Sequence, residues 1–286
     1  MRSIIINQKL IISFTLLAFL LLTLLPVRSP RMWLYPLVRD MAQAKMHWQS
    51  RNMETYETEH FLVKYTANDA DTVMMVAEAA ETAYQPVIEA LGSSPPGKTL
   101  LLVYADRKEM NRLFGWSGDR GAMGVYWGGV IQLLSPHDWL KSGEAAEFIR
   151  SGPMVHEFTH LVFDHMTNGN YSRWFTEGLA QYMEYKISDY EWLTATNRGS
   201  DTLYSQTDLD RNFDHLPDQS RAYRSSLTAI RYIAAVYGEQ TLQTIIKQMQ
   251  QGQSYDKAIA QVLATDYETF GNDWHRWAIG KKEKQK

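Results

Sequence analysis

The sequence predicts an α+β domain built on a mixed sheet, and three observations carry that expectation. Residues 60–65 and 99–104 read as strands on either side of a long helical pattern over residues 67–91. Gly128-Gly129 separates two further strand-like runs, residues 123–127 and 130–134, as a two-residue hairpin turn. After residue 153 the patterning turns helical, so strands and hairpin come first and helices follow.

Each element has its own reason. In residues 67–91, Val73, Val76, Ala80, Ala83, Tyr84 and Val87 recur on one helical face. Ser93-Ser94-Pro95-Pro96-Gly97 then breaks the chain, and residues 99–104 are apolar on both faces, as a central strand requires. Gly152 suits a helix N-cap with Pro153 at the first helical position, after which Met154, Val155, Phe158, Leu161, Val162 and His165 recur at helical spacing. Asn168-Gly169-Asn170 marks a turn, and Ser172 opens a second helix with Phe175, Leu179, Tyr182 and Met183 on its core side. Residues 187–222 lose the pattern and are expected to form a mobile loop over the cleft. Residues 225–237, 240–249, 255–263 and 266–279 read as four helices, with Phe270, Trp274 and Trp277 as core.

Composition narrows the function classes. Lys and Arg total 29 against 32 Asp and Glu, and no long basic block precedes the terminal tail, so nucleic acid is not expected as a partner. There is no cysteine, which excludes disulfides and thiol chemistry and leaves imidazole and carboxylate as metal ligands.

Residues 10–27 carry no charge and would span about 27 Å as a helix. No small-residue cleavage site follows them, so a transmembrane helix or signal anchor is expected, with membrane lipid as a partner. Arg28, Arg31, Arg39 and Lys45 after the run outnumber Arg2 and Lys9 before it, so the positive-inside count does not favour an outward domain, while the order of short basic segment then apolar core points to a single-pass cell-membrane location with the folded domain extracytoplasmic. Trp33, Leu34, Leu37, Val38, Met41, Ala44 and Trp48 approximate a helical stripe that could lie on the membrane or pack on the domain. The organisation expected is therefore a short flank (1–9), an anchor (10–27), a linker with an amphipathic helix (28–57), a catalytic lobe (58–186), a loop (187–222) and a helical C-terminal part (223–286).

The chemistry is concentrated in His156-Glu157-Phe158-Thr159-His160. Helical residues four apart differ by about 40° in direction and about 6 Å in height, so His156 and His160 project from one face and can bind one ion. Glu177, on the following antiparallel helix, is the expected third ligand. Two imidazoles and a carboxylate leave a position for water, the arrangement of a catalytic zinc. Asp164 and Gln181, one turn beyond His160 and Glu177, are candidates to orient the ligands, and His165 is assigned to packing or surface.

These segments resemble a known family. His156-Glu157-Phe158-Thr159-His160, Trp174-Phe175-Thr176-Glu177-Gly178-Leu179-Ala180-Gln181-Tyr182 and the tail opening at Tyr223-Arg224-Ser225-Ser226 are similar to gluzincin metallopeptidases, in particular to peptidase MA-like domains. The resemblance implies a zincin-like, thermolysin-like fold in which a twisted sheet packs on the active-site helix. It implies His156, His160 and Glu177 as zinc ligands, Glu157 as general base and Tyr223 as a donor to the oxyanion. Gly121-Ala122-Met123-Gly124-Val125 resembles the G-A-M-E-N segment of zinc aminopeptidases, with Gly124 in place of the glutamate that grips a free amino terminus. That departure favours an endopeptidase acting on a peptide or protein substrate, with a substrate-binding edge within residues 121–134. The rival expectation is a non-catalytic, membrane-tethered binding or assembly module that retains the fold.

Overall fold

The computed structural model describes residues 30–115, 122–141, 143–191 and 202–283. Helix α1 (Pro30–Gln49) leads into an antiparallel pair, β1 (Glu54–Glu57) and β2 (Phe61–Tyr65). Helix α2 (Val73–Leu91) ends at Gly92, whose left-handed φ of 70° returns its N–H to the Ile88 carbonyl. Strand β3 (Thr99–Tyr104), helix α3 (Arg107–Phe114) and the hairpin β4 (Gly124–Trp127) and β5 (Val130–Leu134) complete the sheet. Its order is β1-β2-β3-β5-β4, with β2, β3 and β5 parallel and the two edge strands antiparallel. The helices that follow are α4 (Pro136–Trp139), α5 (Ala145–Ser151), α6 (Met154–Thr167), α7 (Arg173–Ser188), α8 (Gln206–Asn212), α9 (Gln219–Tyr232), α10 (Glu239–Gln250), α11 (Tyr255–Leu263) and α12 (Tyr267–Glu283). The whole is a mixed α/β architecture.

Strand β3 is buried along its whole length because both faces of the sheet are covered. Leu101 and Val103, with Ile131 and Leu133 of β5, face α2 and α6 through Val76, Ala80, Phe158 and Val162. Leu100, Leu102 and Tyr104 face the other way, onto Met110 and Phe114 of α3 and Met46 of α1. Each such side chain contributes about 1.5–3 kcal/mol on burial, which is what holds α2 and α6 to the sheet.

The hairpin turn needs its glycines twice over. Gly128 and Gly129 have φ of 57° and 82°, as a two-residue turn with both residues left-handed demands. A Cβ on Gly128 would lie 2.7 Å from Ala42 Cβ, and one on Gly129 would lie 2.2 Å from Gln43 Nε2. Helix α1 therefore sits directly against the turn.

Several boundaries differ from the sequence reading. Strand β1 falls in the expected linker because its four residues are all exposed and carry no apolar alternation. Helix α6 starts at Met154 with Pro153 as N-cap, since Gly152 closes the short helix α5 before it. Within the stretch expected to be irregular loop, residues 206–212 are helical, nucleated by a reciprocal capping box between Ser205 and Asp208 and anchored by buried Leu209. Helix α9 begins six residues early because Asp218 caps it, accepting from the Arg221 N–H.

The expected N-terminal transmembrane helix is corrected. No helix among the described residues is long and apolar enough to cross a membrane. Helix α1 has the length, but its sequence includes Arg31, Arg39, Asp40 and Lys45. Residues 10–27 lie outside the described residues. The single-pass membrane location and membrane lipid as a partner fall with that helix. Of the two readings of the α1 stripe, packing on the domain describes the opposite face: Met32, Arg39 and Ala42 are buried, while Trp33, Leu34, Leu37, Val38, Met41 and Trp48 are exposed.

Candidate metal centre

Helix α6 runs buried between the sheet and α7, and its first turn presses on β4. A Cβ on Gly124 would lie 2.8 Å from both Glu157 Cγ and Pro153 Cβ, so a glycine is the residue that lets the helix approach the edge strand this closely. The helix ends at Asn168, left-handed at φ 50°, whose N–H caps the Asp164 carbonyl. The turn that follows reverses the chain into α7, and Phe163 stacks on Phe175 with ring centroids 5.7 Å apart.

That reversal brings the three expected ligands together. One donor atom from each of His156, His160 and Glu177 lies within 4.8 Å of the others, and these residues could hold a metal ion. Glu177 Oε2 is 3.2 Å from His156 Nε2 and 3.5 Å from His160 Nε2. The other nitrogen of each ring is already engaged: His156 Nδ1 lies 2.8 Å from Glu184 Oε2, and His160 Nδ1 lies 2.7 Å from Thr176 Oγ1. Both Nε2 atoms are thus turned towards the shared carboxylate oxygen, and the donor set of two imidazoles and one carboxylate fits a catalytic divalent metal. Arg173 Nη2 takes the second oxygen of Glu177 at 2.9 Å, and its Nε reaches Asp214 at 3.3 Å.

Electrostatics follow from burial and these pairs. Burial alone would raise the Glu177 carboxyl, but Arg173 and the two imidazoles outweigh it and hold Glu177 well below the usual carboxylate range. His156 is pushed the other way: burial opposes its charge, yet Glu184 and Glu177 raise it well above the ordinary histidine value. For His160 burial prevails and lowers it.

Glu157 is buried against the edge strand β4, with Oε2 2.6 Å from the Tyr126 backbone N. Burial pushes its carboxyl up to about 7, against the pull of His156 and with the help of Glu177. Tyr223 lies on α9, which packs on α7, and its ring meets Phe213 edge-on at 5.4 Å. Charge on Glu177, then burial, raises its phenol well above the usual tyrosine value, so it is neutral and able to donate.

The orienting partners are not those expected. Asp164 points to Tyr35, Arg39, Tyr126 and Tyr171 instead of to His160. The Gln181 side chain donates to the backbone carbonyls of Glu177 and Tyr223, joining α7 to α9. Glu184 and Thr176 take the orienting role, and Arg173 was not anticipated. Spacing held a signal for two of them: Glu184 is two helical turns beyond Glu177, and Arg173 is one turn before it. His165 is half-buried and takes no part in the cluster.

No curated protein matches this sequence. Among solved structures, an aminopeptidase A from Legionella pneumophila in complex with aspartic acid is similar at a TM-score of 0.48 and 12% identity, over 78% of this chain. The match covers 28% of that protein, so this chain spans little more than a quarter of its length. Residues 143–280, which contain all three candidate ligands, match the model of the peptidase MA superfamily. Members of that superfamily are generally metallopeptidases, and over this stretch, a little under half of its length, the chain is similar to them.

Proposed function

We propose that this protein is a zinc-dependent peptidase that cleaves peptide bonds by water attack, with Glu157 as general base. The observation that carries this reading is the buried carboxyl of Glu157 beside two imidazoles and a carboxylate that converge on one point. When bound by His156, His160 and Glu177, zinc would supply Lewis acidity, polarising the scissile carbonyl and bringing the pKa of a coordinated water to about 7.

The chain's own residues do the rest. Glu184 and Thr176 orient the imidazoles, and Arg173 holds the outer oxygen of Glu177 so that the inner one faces the cluster. Glu157 takes the proton of the attacking water as the new C–O bond forms. It delivers that proton to the leaving nitrogen as the C–N bond breaks. Tyr223, neutral and next to the Glu177 charge, is the candidate donor to the oxyanion.

The preference for internal bonds rests on Gly124. The space where a side chain would stand there is filled by Glu157 Cγ and Pro153, so no carboxylate at this position can meet a free amino terminus. The outer edge of β4 offers main-chain groups to an extended peptide or protein substrate.

The test pairs metal content with hydrolysis. Zinc-loaded full-length protein is incubated with a peptide library in free and amino-acetylated forms, alongside Glu157→Gln. The reading expects cleavage of both forms, a fall of about 10²–10⁴-fold in Glu157→Gln and unchanged zinc stoichiometry. Stoichiometric zinc with no cleavage by the wild type would instead favour a non-catalytic binding module.

A further inference from the structure

Asp164 gathers four donors onto one buried carboxylate. Tyr35 and Tyr171 donate their phenol protons to Oδ1, each at 2.7 Å. Tyr126 donates to Oδ2 at 2.7 Å and Arg39 Nη1 at 3.1 Å. A carboxylate has about four acceptor sites, so this one is saturated. Asp164 is 0% exposed and Arg39 8%, and a buried pair of this kind gains little net stability because desolvation offsets its attraction. What such a saturated cluster does supply is a single fixed geometry.

The geometry leads to the candidate base. Tyr126, whose phenol is fixed by Asp164, is the residue whose backbone N–H donates to Glu157. The same phenol oxygen accepts from the Gly129 N–H at 3.1 Å, and Gln43 of α1 donates to the Gly129 carbonyl at 3.0 Å. Tyr35, Arg39 and Gln43 are spaced four apart, on one face of α1. One face of this helix therefore grips both the Asp164 cluster and the β4–β5 turn. All three residues precede the stretch that matches the superfamily.

We propose that α1 is a positioning element of the peptidase site: Arg39 and Tyr35 lock Asp164, Asp164 locks the Tyr126 phenol, and the Tyr126 N–H holds the Glu157 carboxylate where it takes its proton. Tyr126, Asp164 and Arg39 are positioning residues, since they act on the reaction through Glu157. A displacement of about 1 Å at a reacting group can cost about 10²-fold in rate, so a loosened strand would be felt in turnover before it is felt in binding.

The proposal rests on the peptidase reading for its kinetic arm alone, and the experiment separates the two. Full-length Tyr126→Phe and Arg39→Lys are compared with Tyr255→Phe, which removes the same kind of phenol-to-carboxylate bond from Asp210 of α8. Two quantities are read: kcat and KM of the zinc-loaded proteins, and amide exchange at residue 126 in the metal-free proteins. Tyr126→Phe is expected to lose about tenfold or more in kcat with KM within about twofold, Arg39→Lys less, and Tyr255→Phe neither. The amide of residue 126 should exchange about tenfold faster in the first two variants, with Leu101 and Ile131 as protected as in the wild type. Equal losses of kcat in all three variants, or slow exchange at residue 126 throughout, would overturn the proposal. A wild type that cleaves nothing would remove the peptidase reading, and the exchange at residue 126 would still decide whether α1 holds Glu157.

Discussion

His156 Nδ1 and Glu184 Oε2 are 2.8 Å apart, and Glu184 sits two helical turns beyond Glu177 on the same helix. One helix thus provides both a candidate ligand and the carboxylate that sets the orientation of another. Replacing Glu184 by Gln keeps the shape and removes the charge that favours the Nδ1–H tautomer. Zinc affinity is expected to fall roughly 10–100-fold, measured by competition with a chromophoric chelator, with the fold intact by circular dichroism. Undiminished affinity would deny Glu184 this role.

Gly178, the neighbour of Glu177, lies where the backbones of α7 and α9 approach closely. A Cβ there would lie 2.4 Å from the Ser226 carbonyl oxygen and 2.7 Å from its carbon, neither of which can swing aside as a flexible side chain could. Gly178→Ala should therefore destabilise by about 1–3 kcal/mol despite the better helix propensity of alanine, read as a lower denaturant midpoint. A midpoint at or above the wild-type value would show that the helices can separate freely.

The acid limb of stability should depend on His165. Burial, then the neighbouring Arg39 charge, lowers its pKa from 6.5 to about 4. In this window the unfolded chain binds a proton that the folded chain refuses, so the contribution is fully present above pH 6.5 and is lost as pH falls towards 4. Its ceiling is of the order of 3 kcal/mol, and less where solvent reaches the ring. Chemical denaturation from pH 4 to 8 should show His165→Gln with a shallower decline on the acid side than the wild type. Parallel curves would assign the decline to other groups.

Much of this was legible from local pattern. Residues 123–127 and 130–134 about Gly128-Gly129 became β4 and β5 because turn chemistry and apolar runs act over a few residues, where nothing distant competes. Tyr255–Leu263 was read to the residue, for the same reason of a clean apolar period between turns. Strand β1 was not legible, since its four exposed residues owe their conformation to hydrogen bonds with β2 and to nothing in their own side chains. Helix α8 was missed because its capping box lies in a stretch too polar to show a core stripe.

By itself the sequence determined the spacing of His156, Glu157 and His160 on one helix, the candidacy of Glu177 and the glycine at position 124, because helical geometry turns sequence separation directly into direction. It could not determine which carboxylate serves which partner. Asp164 and Glu184 look alike in the chain, yet the packing of α6 against α7 turns Glu184 onto His156, while β4 and α1 close around Asp164. Those assignments arise between different elements, where burial leaves each charged group only the partners that tertiary packing brings within reach.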